Sequence, residues 1–350
     1  MTPDITEFSC PLPSSPSDLI TMAHGGGGRA MHKLIRDVIL KHFDDPALAD
    51  AHDGALASLG AEALAFTTDS FVVSPLFFPG GDIGTLAVCG TVNDLAMCAA
   101  EPLLLSCGMI LEEGFRIEAL ARVAESMSRE AKSAGIRLVT GDTKVVERGK
   151  GDGLYLNTAG IGRPRAPRPV KPSEVRPGDA ILLSGDVGAH AAVILSVREG
   201  LGFETSLKSD CANLWPQVRA LLDAGVELHC LRDLTRGGLA TALNEIAATS
   251  GVGLTISEEA VPVRPEVAGA CEMLGLDPLY MACEGRFIAF VPEKDAPRAL
   301  GVLRAVAGGQ APALIGRAGA PKEAEVRIMT RIGLERVLDM LSGEQLPRIC

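Results

Sequence analysis

The 350-residue chain carries a net charge of −11 and is 47% hydrophobic but only 4% aromatic. That length exceeds one ordinary core and predicts two domains, packed mainly from Ala, Val, Leu and Ile. The acidic balance excludes the basic stripe of a nucleic-acid binder, and no uncharged apolar run reaches the ~18 residues of a membrane span.

Residues 1–20 are rich in Pro and Ser and read as a loose arm without the basic and apolar regions of a secretory signal. Met31, Leu34, Ile35, Val38 and Ile39 recur at helical spacing and predict an amphipathic helix from Arg29 to His42. Ala65 to Val73 and Leu154 to Ile161 read as strands. Between them, Ile117 to Ala134 reads as a helix and Arg137 to Thr140 as a short strand. Five prolines between Gly162 and Gly178 block regular structure and place a linker at 164–178, between an N-terminal domain at 21–163 and a C-terminal one at 179–341.

Strands and helices then alternate. Ala180 to Leu183, Arg286 to Val291 and Glu325 to Met329 read as strands. Ala189 to Arg198, Leu214 to Ala224, Gly237 to Thr249 and Glu293 to Val306 read as helices. A last helix is expected over Leu334 to Leu341. Gly343 would stop it, and Pro347 would keep a mobile 342–350 tail extended. Both halves are thus mixed α and β.

Several segments can carry chemistry. Gly25, Gly26, Gly27 and Gly28 precede a helix and allow backbone N–H groups to approach a phosphate; a flexible loop would look the same. Asp53, Asp69, Asp82, Asp94 and Asp142 lie at strand ends or in glycine turns. They are either turn caps or, converging, ligands for Mg²⁺ carrying ATP. Lys144 shares a strand face with Asp142, either to hold a phosphate or to form a surface ion pair. Arg232 to Gly238 leads into a helix, where Asp233 or Thr235 can cap it. Glu284, flanked by small residues before an apolar strand, is placed to act as a general base. Of nine cysteines none form a C-x-x-C pair; eight read as small buried hydrophobes of a reducing cytosol. The ninth, Cys350, ends the chain.

Together these segments resemble the HypE family of hydrogenase maturation factors. The similarity runs through HGGGGR (24–29), TTDSFVVSP (67–75), FPGGDIG (78–84), GTVNDLAMCAAEP (90–102) and TGDTKVV (140–146). It continues through SGDVGAHAAVILSVREGLGFE (184–204), LRDLTRGGLATALNEIA (231–247), ACEGRF (282–287) and the terminal PRIC (347–350), covering nearly the whole chain after residue 20.

The resemblance implies a two-domain PurM-like α/β fold, with ATP between the domains and a homodimer formed through N-terminal strands. It implies ATP-dependent dehydration of a carbamoyl group on Cys350 to a thiocyanate, which supplies the cyanide ligand of nickel–iron hydrogenase. The carbamoyltransferase HypF would load the cysteine and the HypC–HypD scaffold would take the cyano group; the setting is cytoplasmic. Carried over to this chain, Asp53, Asp69, Asp94 and Asp142 hold Mg²⁺ and ATP, and Gly25 to Gly28 close over the phosphates. Lys144 stabilises the transferred phosphoryl group, Glu284 is the base, and His52 is a weaker partner in the same site. A small-molecule kinase or synthetase of the same superfamily would need no Cys350. A nucleotide-regulated scaffold would use the tail only for docking.

Overall fold

The computed structural model describes residues 20–42, 48, 52–59, 62–200, 207–306, 310–319, 324–340 and 348–350. The expected arm, but for its last residue, and positions 342–347 of the expected tail lie outside them.

Helix α1 (Arg29–Leu34) continues as a π turn over Ile35–Ile39 and a 3-10 turn over Leu40–His42. None of its residues is buried, so its apolar stripe is not part of a core. Strands β1 (Ala55–Leu59) and β2 (Glu62–Phe71) form a hairpin, and a two-residue ladder of β3 (Phe77–Phe78) with β4 (Gly81–Asp82) leads into α2 (Ile83–Met97). There follow β5 (Ala100–Glu112), α3 (Ile117–Ala134), β6 (Arg137–Val146) and β7 (Leu154–Pro164). The five long strands make one sheet in the order β1-β2-β7-β5-β6, antiparallel except for the β5–β6 pair.

Helix α2 is buried on nearly every side. It packs on β2, β7, β5 and α3 within the N-terminal half, and on a C-terminal strand and helix opposite. An apolar all-round helix belongs in such a central place. Asp82 caps it, accepting from Thr85 N at 2.9 Å and from Ser126 Oγ at 2.6 Å. That contact gives Asp82 the cap role rather than the ligand role.

The second half contains β8 (Asp179–Leu183), α4 (Ala189–Arg198), α5 (Trp215–Asp223), β9 (Cys230–Asp233), α6 (Gly238–Ser250), β10 (Leu254–Ser257) and α7 (Pro265–Leu274). It ends with β11 (Phe287–Pro292), α8 (Ala296–Val306), β12 (Ala313–Ala318), β13 (Val326–Met329) and β14 (Glu335–Val337). The seven strands order as β14-β13-β10-β12-β8-β11-β9. Along β8 and β11 successive residues serve opposite cores. Ala180, Leu182, Ala289 and Val291 face one, and Ile181, Leu183, Ile288 and Phe290 face the core that includes Leu239, Leu243 and Ile246 of α6. Burial on both faces explains the continuous apolar runs.

The helix expected at Leu334 to Leu341 is not present at its described positions. Thr330 and Leu334 close a turn through reciprocal bonds, and Glu335–Val337 return as an edge strand on β13. Ladder pairing to Val326–Met329 outweighs a short helical preference with no face to bury.

Candidate active site

The two halves meet along α2, and acids from both converge there. Asp94 projects from α2, Asp69 from β2, Asp53 from just before β1, and Asp233 from the end of β9. One oxygen from each of Asp53, Asp94 and Asp233 lies within 4.8 Å of the others. Thr67 holds two of them, its single hydroxyl proton shared between Asp94 Oδ2 at 2.7 Å and the Asp53 main-chain carbonyl at 3.0 Å. Arg232 Nε stands 3.0 Å from Asp53 Oδ1, and its guanidinium also pairs with Glu245. His52 lies beside Asp53, with Nδ1 3.9 Å from Oδ2, beyond a direct hydrogen bond.

Such packing of acids makes ionisation costly. Burial first, then the neighbouring carboxylates, push Asp94 and Asp233 well above the usual carboxylate range. Burial raises Asp53 to about 6 and Asp69 in the same direction, against Arg232 and Arg236 respectively. Asp53 Oδ2 is buried and accepts no hydrogen bond among the described residues. Clustered hard oxygens with an orphaned lone pair fit Mg²⁺, which takes one or two carboxylates along with phosphate oxygens.

Asp233 was legible only as a possible helix cap. The structure gives the N-cap of α6 to Gly237, with no side-chain cap, and turns Asp233 into the acid cluster. Arg236, three residues on, faces the same cleft. Gly27, at φ +78°, lies against it: a Cβ there would come 2.8 Å from Arg236 Cβ and carbonyl oxygen. The glycine run thus covers Arg236 at the cleft mouth, with Gly27 and Gly28 buried and Gly25 exposed.

The chain end occupies the same cleft. Arg236 Nη1 is 3.7 Å from Cys350 Sγ. Glu284 and Asp69 are close enough to raise the Cys350 thiol further after burial, to about 12, with Arg236 opposing them. Reciprocally, Cys350 is the main reason that Arg236 holds its proton so firmly. Glu284 is buried, Oε1 has no hydrogen-bond partner among the described residues, and burial pushes its carboxyl well above the ordinary range. Its backbone N donates to Asp210 Oδ1 at 2.8 Å. Asn93, next to Asp94, donates to the Glu284 carbonyl at 3.3 Å and to the Ala212 carbonyl at 3.1 Å, so α2 and the Glu284 loop are tied together. At Gly285 any Cβ would run into the Asp210 carbonyl oxygen.

The expected mobile tail is therefore seated at its last three residues. Val72 N donates to Cys350 O at 3.0 Å and Ser74 N to Arg348 O at 3.3 Å. Arg348 pairs with Asp152, and its Nε reaches Val72 O at 3.0 Å. Arg198 bonds the carbonyls of Ser74 and Arg348. Ile349 and Cys350 are buried.

Asp142 and Lys144 do not join this cluster. They sit on β6, exposed and paired with each other at 2.7 Å, and that pairing holds Asp142 below the usual carboxylate range. The registers set Asp142 beside Gly108, Gly108 beside Asn157, and Asn157 beside Ser70. Ser70 and Asp69 are neighbours on a strand and face opposite ways. Within one chain, then, Asp142 lies on the far face of the sheet. There it lines a cavity of about 430 Å³ with Lys144, Ser70, Tyr155 and Asn157.

Two domains, a cleft of acids between them and this topology define an AIR synthase-related protein. The family models agree: AIR synthase related protein, N-terminal domain, matches residues 51–163, and its C-terminal domain matches 176–329. More particularly, the chain belongs to the HypE family. It is 52% identical to the carbamoyl dehydratase HypE of Rhodobacter capsulatus over 334 residues, 95% of this chain and 98% of that one. A solved HypE in complex with ATP is 50% identical, with a TM-score of 0.80, over 95% of this chain and all of that one. The HypE–HypF complex matches at 42% identity and a TM-score of 0.83, over 88% and 99%. Among the described residues no helix is long and apolar enough to cross a membrane.

Proposed function

We propose that the chain dehydrates an S-carbamoyl group on its own Cys350 to a thiocyanate with ATP, supplying cyanide for nickel–iron hydrogenase maturation. One observation carries the reading: the last sulfur of the chain lies inside the acid cleft, 3.7 Å from Arg236 and within the field of Glu284. The relatives' names, an ATP complex and a HypF complex support it.

An amide oxygen is a poor leaving group. In the proposed sequence it attacks the γ-phosphorus, ADP leaves, and nitrogen gives up one proton as C=N forms. The C–O bond then breaks, phosphate departs with the electron pair, and the second N–H proton passes to a base as C≡N closes. The products are the thiocyanate, ADP and phosphate. Glu284 is the base; burial gives it the raised affinity for a proton that such a role needs. Arg236 offsets negative charge growing beside the sulfur. Asp53, Asp94 and Asp233, with Asp69, would hold Mg²⁺, which supplies positive charge to the nucleotide phosphates. His52 supports Asp53, and Gly25 to Gly28 cover the phosphates.

Loading by HypF and delivery to HypC–HypD require the tail to leave its seat, and the tail ends at polar contacts that can be remade. We further propose a homodimer through the N-terminal sheet. β6 is a ten-residue edge strand exposed along nine of its positions, and Phe66, Ile110 and Ile161 are exposed on the far face. The partner's Asp142 and Lys144 would then enter this cleft.

The test is the mass of the C-terminal peptide. Carbamoyl addition followed by loss of water that needs Mg-ATP is expected, and Cys350→Ala abolishes both. ATP turnover that leaves the carbamoylated peptide unchanged would refute the reading.

A further inference from the structure

The proposed chemistry leaves the segment Ser184 to Glu204 without a role. His190 lies in the first turn of α4, fully buried, with the Phe78 ring edge-on at 5.4 Å. Its Nδ1 is 2.8 Å from Ser209 Oγ and its Nε2 is 2.9 Å from the carbonyl oxygen of Ile349. A carbonyl can only accept, so Nε2 carries the proton, and Nδ1 accepts from the Ser209 hydroxyl. Ser209 is fixed in turn: its N donates to Pro79 O at 2.9 Å, and its Oγ accepts from Cys211 N at 3.0 Å.

Main-chain oxygens of all three terminal residues are thereby taken: that of Arg348 by Ser74 N and Arg198, that of Ile349 by His190, and a carboxylate oxygen of Cys350 by Val72 N. Those of Arg348 and Cys350 point to one side, toward Ser74 N and Val72 N; that of Ile349 points to the other, toward His190. With the oxygens alternating in this way, a slip of one residue would turn the sulfur to the wrong face. Val72 and Ser74 belong to the N-terminal half and His190 to the C-terminal half, so the tail is gripped from both sides of the cleft.

We propose that His190 is the positioning residue that sets the register of the terminal sulfur, acting through the carbonyl of Ile349. The inference takes from the proposed function only that Cys350 bears the reacting group; the grip itself is independent of the chemistry.

The experiment follows iodoacetamide modification of Cys350 in the full chain by peptide mass spectrometry, with Cys107, buried on β5 and outside this hydrogen-bond chain, as internal control. His190→Ala is expected to raise the Cys350 rate about fivefold, the equilibrium equivalent of one net neutral hydrogen bond, with Cys107 unchanged. His190→Gln, whose amide can donate at a similar reach, should return the rate to within about twofold of wild type. Single-turnover dehydration of the carbamoylated variants should run in the reverse order, slowest in His190→Ala and close to wild type in His190→Gln, with ATP affinity unchanged. If His190→Ala does not fold, Ser209→Ala replaces it, with a smaller increase expected at Cys350. An unchanged Cys350 rate in the folded Ala variant, or a folded Gln variant as reactive as the Ala one, would overturn the proposal. A wild-type chain that shows no dehydration while the modification pattern holds would remove the proposed function and leave the positioning role standing.

Discussion

A buried thiol beside two carboxylates fixes how the unloaded tail answers pH. The Cys350 thiol is raised to about 12 by burial, then Glu284 and Asp69, against Arg236, whereas an exposed thiol titrates near about 8.5. A raised pKa favours the seated, protonated form. Its contribution is complete below about 8.5 and is lost as pH rises toward the seated value. The ratio of alkylation rates between a free PRIC peptide and the protein should therefore stay flat below that point and fall about tenfold per pH unit above it. A flat ratio up to pH 10.5 would contradict the seat. Both partners in this contact could be read from sequence, since Glu284 stands alone among small residues and Cys350 ends the chain. Asp233 could not. An Asp shortly before a glycine-led helix looks like a cap, and only the pairing of β9 with β11, Asp233 opposite Phe287, turns it into the cleft. Nothing in the Ala-rich run from Ala189 to Arg198 singles out His190 in sequence.

At the scale of elements, the amphipathic helix α3 spans Ile117–Ala134, as its apolar spacing predicts. Helix α2, with no polar face, gives no period to read, although it carries Asn93 and Asp94 and joins the two halves. The N-terminal segment docks on the second half through polar contacts. His32 Nε2 is 2.8 Å from Glu245 Oε1, and Arg29 pairs with Asp339. The hydrogen bond to Glu245 raises His32; Glu245 is lowered despite burial, by Arg232 and then His32. The raised imidazole stabilises docking below about 6.5 and loses that effect as pH climbs through its raised value. The lowered carboxylate contributes above about 4.3 and loses it on acidification. Docking is thus firmest between those limits. Tryptic cleavage after Lys33 and Arg36, normalised to a free peptide of the same sequence, should quicken severalfold from pH 6 to pH 8.5. In His32→Ala it should be fast at both. Equal normalised rates in the native chain would exclude this tether.

For the whole molecule, the sheet's geometry forces a choice about Asp142 and Lys144. They share a strand face with each other and with Ser70 and Asn157, on the side of the sheet opposite to Asp69. Three strand spacings of about 4.8 Å put Asp142 roughly 14 Å across the sheet from Ser70. From sequence alone Asp142 of TGDTKVV and the acids that converge near Asp69 could not be separated, because the face each strand shows depends on its register. If Lys144 serves catalysis, it does so in the partner's cleft of the proposed homodimer. Co-expressing a Lys144→Ala chain with a Glu284→Gln chain under separate affinity tags yields a defined heterodimer. Acting across the interface, the two defects fall in one cleft and leave the other intact. The carbamoylated heterodimer should then dehydrate at about half the wild-type rate, one working site of two. Each homodimer should fall by roughly a hundredfold or more, as loss of a general base or a phosphoryl-binding charge entails. Were Lys144 to act within its own chain, each cleft of the heterodimer would keep one defect and the rate would match the inactive homodimers. Phe66→Glu, placing a charge on the exposed sheet face, should give monomers by sedimentation with the cleft acids intact and the dehydration rate as low as that of Lys144→Ala.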